Sequence, residues 1–182
     1  MLNLVFIHGA GDDHRAWHGQ REFFSGSHGM LDVDLAGHRH RLEESPFDSH
    51  EESARDVLGR MDAAGMSQAV LIGHSAGGAV AMTVALQHPE RVLGLVLVAT
   101  AARLAGMKIA APTLVVGGSD DRLVPVSVTE SLAASIPGAQ LVILTSCEHH
   151  PHVERSNAFN FALVKFLGRV SVRALHAPAL VT

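Results

Sequence analysis

The sequence predicts a single-domain α/β fold, with a parallel sheet in the middle and helices on both of its faces. Three observations support this class: a length of 182 residues, six short apolar runs, and helix patterns between the runs. A chain of this length falls in the one-domain range of about 100 to 200 residues. The runs are nearly continuous instead of alternating, which is typical of strands covered on both faces. The predicted strands are Leu2–Ile7, Met30–Leu35, Ala69–Ile72, Val92–Val98, Thr113–Val116 and Gln140–Leu144.

Two of the helices between the strands carry start and stop signals. Ser49 and Glu52 have capping-box spacing ahead of an apolar repeat at helical intervals, and Gly65 ends that repeat. Ser127 and Glu130 have the same spacing ahead of a second apolar repeat, which a Pro-Gly pair ends. Both segments are therefore predicted to be crossover helices that begin at a serine cap.

The remaining helices differ in what they bury. Residues 75–87 are apolar on nearly all sides, which indicates a helix buried in the centre of the molecule. The last helix carries a single apolar stripe. The single domain is predicted to extend over residues 1–168. Residues 169–182 fit no helix, and their alternation of apolar and polar side chains favours either an edge strand or a flexible end. The stripe of the last helix consists of Phe159, Ala162, Leu163, Phe166 and Leu167.

Composition excludes several classes of protein. Hydrophobic residues make up 47% of the chain and charged residues 18%, which is too apolar for disorder. No apolar stretch approaches the roughly 18 residues of a membrane span. The net charge is -4 and there is no basic run, so a nucleic-acid partner is not expected. The single cysteine excludes an internal disulfide, and residues 1–7 lack the basic segment of a secretion signal, so a cytoplasmic location is expected.

The strongest chemical signal is the segment Gly73-His74-Ser75-Ala76-Gly77, which joins an apolar strand to an apolar helix. A G-x-S-x-G turn in this position holds its serine in a strained backbone conformation, and the small neighbours let strand and helix cross closely. Ser75 is then expected to project from the carboxyl end of the sheet, above a helix N-terminus that favours developing negative charge. The segment predicts a nucleophilic serine.

A serine hydroxyl becomes a good nucleophile only when a base removes its proton and a carboxylate orients that base. Two carboxylates, Asp120 and Asp121, follow the fifth strand, and a cluster of histidines follows the sixth. The carboxyl ends of parallel strands share one edge of the sheet, so these loops are expected to meet Ser75. Spacing alone does not separate the candidate bases. They are His149, His150 and His152.

Six motifs occur along the chain in a fixed order. They are Val5–Gly11 with Trp17 downstream, Asp34–His38, the Ser75 turn, His88–Val92, Asp121-x-x-Val124-Pro125 and His149-x-Pro151-His152-x-Glu154. In these motifs the chain resembles the α/β-hydrolase superfamily, from its second residue to about residue 167. The resemblance is to the serine-nucleophile group of esterases, cofactor-free haloperoxidases and carbon–carbon bond hydrolases, here in a minimal form.

The resemblance implies a role for each candidate residue. The triad acid of that family stands three residues before the valine and four before the proline, which makes it Asp121. The base is the first histidine of the H-x-P-H element, His149, with the two histidines that follow it as alternatives. The family's oxyanion hole would be formed by the backbone N–H groups of Ala10 and Ala76. No cofactor and no metal are implied.

Two features differ from the family pattern. The chain starts at what the family counts as its third strand, so the usual antiparallel edge pair is missing and six parallel strands are expected. The twelve residues Thr100–Ala111 make up nearly all of the connection between the fourth and fifth predicted strands, where family members usually insert a helical cap. Since a parallel crossover needs about a dozen residues, no cap domain is expected and the active site should be open and shallow. A homodimer whose second subunit covers this site is a hypothesis.

The leading interpretation is a carboxylesterase that cleaves small acyl esters through an acyl-enzyme on Ser75. Perhydrolase, thioesterase, lactonase and carbon–carbon hydrolase reactions use the same residues and stay open, as does a binding or receptor module on a hydrolase scaffold. The thirteen histidines do not predict a metal site, because the chain lacks H-E-x-x-H and has one cysteine. Of the remaining motif residues, His8 is expected to brace its loop, Cys147 to be buried and Trp17 to pack against the sheet.

Overall fold

The computed structural model of the chain describes residues 1–101 and 108–176, with side chains as far as residue 173. Its strands form one sheet in which all pairs are parallel. The strands are β1 (Asn3–Ile7), β2 (Gly29–Val33), β3 (Ala69–His74), β4 (Val92–Val98), β5 (Thr113–Gly118) and β6 (Gln140–Leu144). Their order across the sheet is β2-β1-β3-β4-β5-β6.

The described residues contain six α-helices and three short 3-10 turns. The helices are α1 (His18–Phe24), α2 (His50–Ala63), α3 (Ala76–Gln87), α4 (Val126–Ser135), α5 (Pro151–Glu154) and α6 (Ser156–His176). The 3-10 turns are His14–Trp17, Arg39–Arg41 and Pro89–Arg91. Helices therefore connect successive strands along most of the chain, as the alternating pattern of the sequence predicts.

The helices pack on both faces of the sheet and enclose two hydrophobic cores. Successive side chains of a strand point to opposite faces. Val5 and Ile7 of β1 enter the core shared with α2, α3 and α4, whereas Leu4 and Phe6 enter the core shared with α1 and α6. Every residue of β3 is buried, which is why its run of the sequence is continuously apolar. The predicted class, a three-layer α/β fold on six parallel strands, is confirmed.

The strand order places a ligand site at the carboxyl end of β1. The chain passes from β1 to β2 on one side and then crosses to β3 on the other, and β1 pairs with both. In open parallel sheets ligands bind where neighbouring loops diverge at such a reversal. The loops that follow β1 and β3 contain Ala10 and Ser75, two of the predicted site residues.

Strand positions agree with the sequence, with small shifts at the ends. β4 and β6 have the predicted bounds, whereas β3 and β5 each continue for two residues beyond them, to His74 and Gly118. β2 starts one residue earlier and ends two residues earlier than predicted. Because of these two extensions, β3 ends directly before Ser75 and β5 ends three residues before Asp121.

One predicted helix start is confirmed and another is wrong. The Ser49 hydroxyl oxygen accepts a hydrogen bond from the N–H of Glu52 at 3.2 Å, so the cap of α2 is as expected. α4 begins at Val126, and no side chain caps it. Pro125 occupies the cap position with an extended ψ of 153°, which leaves Ser127 inside the first turn, too late to cap the helix.

The tail prediction is wrong for residues 169–176. α6 continues to His176, so the last helix extends past the predicted domain end at residue 168 and no edge strand forms over these residues. Val170 is 1% exposed and lies with Phe166 against Gly94 of β4, which continues the apolar stripe by one more helical step. The alternation in the sequence concealed this helical spacing. Residues 177–182, the rest of the predicted tail, lie outside the described residues.

The connection between β4 and β5, residues 99–112, includes residues 102–107, which also lie outside the described part. The expected absence of a cap therefore stays a prediction from its length. Ile109, near the end of the connection, is buried in the core shared with α4. Over residues 1–101 and 108–176, no helix has the length and apolarity needed to cross a membrane.

Candidate active site

Ser75 lies in a strained turn between β3 and α3. Its φ is 49° and its ψ is -116°, a conformation that costs about 1–3 kcal/mol for a residue with a side chain. The surrounding structure holds it there: the Ser75 N–H donates to the Val98 carbonyl oxygen at 2.9 Å, and its own carbonyl oxygen accepts from the Thr100 hydroxyl at 2.7 Å. The strained serine predicted from the G-x-S-x-G segment is thus present at the carboxyl edge of the sheet.

Three polar side chains form one hydrogen-bonded chain at this edge. The Ser75 Oγ is 3.1 Å from Nε2 of His149, and Nδ1 of the same ring is 2.8 Å from Oδ2 of Asp121. A carboxylate oxygen only accepts, so Nδ1 carries the proton and Nε2 presents its lone pair to the serine hydroxyl. This tautomer is the one that can remove the hydroxyl proton.

The Asp121 carboxylate is fixed by the turn that follows β5. Its side chain is completely buried, and Oδ1 accepts the N–H groups of Leu123 and Val124 at 2.8 Å each. The neighbouring Asp120 is exposed and accepts from the Ser119 hydroxyl at 2.9 Å instead. Of the two adjacent carboxylates, Asp121 is therefore the one that meets the histidine.

The other two candidate histidines lie beside this chain without joining it. His150 is partly exposed, and its Nε2 is 3.4 Å from Oδ2 of Asp12. His152 is buried and stacks on Trp17, with 4.1 Å between ring centroids. Burial, reinforced by the neighbouring imidazoles, lowers the pKa of His152 well below its ordinary value. In the described structure neither ring is hydrogen-bonded to Ser75.

The two predicted oxyanion donors have unoccupied N–H groups. Ala76 is the first residue of α3, and the first N–H groups of a helix have no partner within it. Ala10 is exposed in the loop after β1. Within the described residues neither N–H donates to a backbone carbonyl. Both N–H groups are therefore available to donate hydrogen bonds, and their role in an oxyanion hole stays a prediction.

His8 braces the loop that carries Ala10. It is completely buried; its Nδ1 donates to the Gly9 carbonyl oxygen at 2.8 Å and its Nε2 accepts the Leu35 N–H at 3.0 Å. The ring thus ties the loop after β1 to the loop after β2. Burial is the main reason why the pKa of His8 is lowered from its ordinary 6.5.

We expect His8 to make the protein less stable in acid. The unfolded chain takes up a proton at the ordinary pKa, whereas folded His8 does so only at lower pH, so its contribution is complete above about pH 6.5 and is lost below it. His8→Gln keeps a donor and an acceptor but does not titrate. It should be less stable than wild type at pH 7.5 by about 1–3 kcal/mol, and the difference should shrink by up to about 1.4 kcal/mol per pH unit below 6.5.

Urea unfolding between pH 7.5 and 5.5 measures the free energy of unfolding of wild type and of His8→Gln. The control variant is His18→Gln, because His18 is exposed. The control should follow the wild-type curve. Parallel curves for His8→Gln and wild type would contradict the prediction.

The remaining motif residues serve packing. Cys147 is completely buried, and burial raises the pKa of its thiol to about 11, so it is not a nucleophile at neutral pH. Trp17 is also completely buried and contacts Phe6, with ring centroids 5.2 Å apart. Both residues lie where the sequence places them.

Two groups of side chains in the described residues have donor atoms close enough to share a metal ion. Asp12, His74 and His150 form one, and His14, Asp34 and His40 form the other. The first group lies beside Ser75 and opens onto a cavity of about 320 Å³ that Gly11, Arg15, Arg39 and Val153 also line. A wider groove of about 880 Å³ runs along the edge strand β2, away from Ser75.

Sequence reasoning missed three residues around the serine. Asp12 lies two residues after Ala10, His74 directly precedes Ser75, and Thr100 lies two residues after the end of β4. The one signal that could have found them is position, because all three lie just beyond or at the carboxyl end of a strand. No spacing rule connects them, since they come from loops far apart in the chain.

A parallel sheet whose central strand ends in a strained serine, hydrogen-bonded to a histidine and an aspartate from later strands, defines the α/β class of hydrolases. The chain belongs to the α/β-hydrolase family. A family model described as "alpha/beta hydrolase fold" matches residues 3–108, and a second model, "TAP-like protein", matches residues 98–175.

Several relatives are hydrolases by name. The chain is 49% identical over 61 residues to a 2-hydroxy-6-oxononadienedioate/2-hydroxy-6-oxononatrienedioate hydrolase of Cupriavidus pinatubonensis (strain JMP 134 / LMG 1197). The matched segment covers 34% of this chain and 21% of that protein. It is 36% identical over 106 residues to a 2-hydroxymuconate semialdehyde hydrolase of Pseudomonas sp. (strain CF600), covering 54% of this chain and 36% of that protein. The chain thus spans about a fifth to a third of the length of these relatives.

The structure is similar to that of the enol-lactonase from Burkholderia xenovorans LB400. The TM-score is 0.84 at 22% identity, over 92% of this chain and 91% of that chain. At this level of identity the likeness shows the shared fold.

Proposed function

We propose that the protein is a serine carboxylesterase that cleaves small acyl esters through an acyl-enzyme on Ser75. The observation that carries this proposal is the continuous chain of hydrogen bonds from Ser75 through His149 to the buried Asp121. A binding module would have no use for a strained serine in contact with a correctly protonated histidine. The geometry therefore favours an enzyme over the alternative of a receptor.

The reaction follows from the positions of these groups. His149 Nε2 takes the proton of the Ser75 hydroxyl while Oγ bonds to the acyl carbon, and the carbonyl electrons move to an oxyanion that the N–H groups of Ala10 and Ala76 stabilise. The imidazolium then protonates the departing alcohol as the ester bond breaks. Water repeats both steps on the acyl-enzyme and releases the acid, and Asp121 stabilises the imidazolium each time.

The preference for small esters rests on the short connection between β4 and β5. Twelve residues leave little room for a lid that would contact a long acyl chain. A site without a lid offers few contacts to a long acyl chain, so a small acyl group fits it best.

Carbon–carbon bond hydrolysis is the second candidate. Two of the relatives are by name a 2-hydroxy-6-oxononadienedioate/2-hydroxy-6-oxononatrienedioate hydrolase and a 2-hydroxymuconate semialdehyde hydrolase. That reaction cleaves a bond next to a carbonyl group and can use the same serine and histidine. Perhydrolase, thioesterase and lactonase activities differ from the esterase only in the group that leaves or attacks.

Turnover of p-nitrophenyl acetate and butyrate tests the proposal, together with labelling by a fluorophosphonate. We expect steady-state hydrolysis with acetate at least as fast as butyrate, and one phosphonyl group per chain on the peptide that contains Ser75. Ser75→Ala is the control and should show neither. Equal background rates in wild type and Ser75→Ala, with no label on either, would refute the enzyme; a labelled protein inactive on both esters would favour the second candidate.

A further inference from the structure

A group of side chains next to Ser75 has no part in the hydrolysis proposed above. The rings of His74 and His150 have centroids 4.8 Å apart, and Oδ2 of Asp12 lies 3.7 Å from His74 Nδ1 and 3.4 Å from His150 Nε2. Asp12 and His150 come from the loops after β1 and β6, and His74 is the last residue of β3. Their convergence needs an explanation of its own.

His74 presents an unpartnered nitrogen to this group. Its Nε2 is 2.8 Å from the carbonyl oxygen of His149, and a carbonyl oxygen only accepts, so Nε2 carries the proton. In the neutral ring Nδ1 then holds a lone pair. That side chain is 2% exposed, and within the described residues Nδ1 has no hydrogen-bond partner. A buried lone pair that faces a carboxylate is repulsive unless a proton or a metal ion lies between the two atoms.

The spacing of the three donor atoms suits a small metal ion. The donor atoms of Asp12, His74 and His150 all lie within 4.8 Å of one another. In a tetrahedral zinc site with bonds of about 2.0–2.1 Å, two ligand atoms are about 3.4 Å apart. The two measured separations, 3.4 Å and 3.7 Å, match that value closely. The third separation, between His74 Nδ1 and His150 Nε2, is also within 4.8 Å. The His150 side chain is 43% exposed, so its ring can turn to shorten this distance.

We propose that Asp12 Oδ2, His74 Nδ1 and His150 Nε2 form a binding site for a divalent transition-metal ion, with Zn²⁺ as the best fit. Two imidazoles and one carboxylate suit zinc, whereas Mg²⁺ and Ca²⁺ prefer oxygen ligands. The fourth position faces the cavity of about 320 Å³, which can hold a water ligand. The bond from Nε2 of His74 to the His149 carbonyl oxygen is the kind of outer contact that orients a metal-binding imidazole.

The second group in the chain is a natural comparison. In the group of His14, Asp34 and His40, the Nδ1 of His14 is already 2.8 Å from an Asp34 oxygen, so the carboxylate has its partner. His40 is exposed. No buried nitrogen is left without a hydrogen bond in this second group, which is why it carries no proposal.

An ion at the first site would connect the three loops that carry the proposed catalytic groups. Asp12 lies two residues from Ala10, His74 precedes Ser75, and His150 follows His149. Zinc binding should therefore stabilise the folded protein and hold these loops together. At a zinc concentration about 100 times Kd, we expect Tm to rise by roughly 5 to 10 °C.

Isothermal titration of the tag-free, chelator-treated protein with ZnCl₂ tests the proposal. We expect one ion per chain with a Kd in the micromolar range or below. Asp12→Asn and His150→Gln should each weaken binding at least about 100-fold, since even the loss of an outer-shell contact costs about 10- to 100-fold. Both positions are partly exposed, so neither change should prevent folding. His40→Gln removes a ligand of the second group and should bind like wild type.

Two further measurements separate this site from the esterase. Ser75→Ala should bind zinc with unchanged affinity, because Ser75 is not a ligand. Cu²⁺ should quench the fluorescence of Trp17, which stacks on His152, a ring 4.7 Å from that of His74. The proposal is wrong if the wild-type protein binds no stoichiometric zinc, if Asp12→Asn and His150→Gln bind as tightly as wild type, or if His40→Gln alone loses the ion.

Discussion

Asp121→Asn is expected to lower kcat for p-nitrophenyl acetate by about 10⁴-fold while the protein keeps its fold. The amide oxygen can still accept the N–H groups of Leu123 and Val124, which the Asp121 carboxylate accepts at 2.8 Å. The amide NH₂ would instead face Nδ1 of His149 and donate to it. The ring proton then moves to Nε2, so the lone pair that removes the Ser75 proton is lost.

Asp120→Asn is the matched control, because it removes the same charge one residue earlier in the chain. Asp120 is exposed and contacts Ser119. Its kcat should stay within about twofold of wild type, as is usual for surface substitutions. Initial rates at saturating ester, with circular dichroism to verify folding, give the comparison. Equal losses in the two variants, or more than a tenth of wild-type activity in Asp121→Asn, would show that Asp121 does not orient the base.

The sequence predicts much of the fold because a covered parallel sheet leaves a strong pattern. β4 and β6 were placed with their observed bounds, since their apolar runs are bounded by turn residues on both sides. The positions of Ser75, Asp121 and His149 were also predictable, because each lies at the carboxyl end of a strand and such ends share one edge. Separating Asp121 from Asp120 needed the family resemblance, and the structure shows which one the turn buries.

Other features depend on contacts that have no local signal. Residues 169–176 alternate like a strand, yet they continue α6, because Val170 packs against Gly94 of a strand more than seventy residues earlier in the chain. The meeting of Asp12, His74 and His150 likewise depends on how three separate loops fold over the sheet. The spacing of the histidines marks residues 149–152, whereas His74, which also contributes to this group, lies in the Ser75 turn.

The close approach of α3 to β1 makes Gly77 a sensitive position of the Ser75 turn. A methyl group on Gly77 would lie less than 3.0 Å from the carbonyl oxygens of Ile7 and His8, closer than Cβ atoms come in proteins. These are backbone atoms, and Ile7 is paired on one side with Val33 and on the other with Gly73, so β1 cannot move away. Gly77→Ala should therefore lower the free energy of unfolding by about 3 kcal/mol or more.

Gly59→Ala provides the control, because it adds the same methyl group in the interior of α2, where nothing lies within 4 Å of it. Alanine should stabilise that helix by about 0.5–1 kcal/mol. Urea unfolding of both variants gives the two free energies, and loss of soluble Gly77→Ala beside soluble Gly59→Ala counts as the predicted result. If Gly77→Ala unfolds at the wild-type midpoint, the contact with β1 does not constrain the elbow. Effects of opposite sign from the same methyl group would show that the closeness of α3 to β1, and not the loss of a glycine as such, destabilises Gly77→Ala.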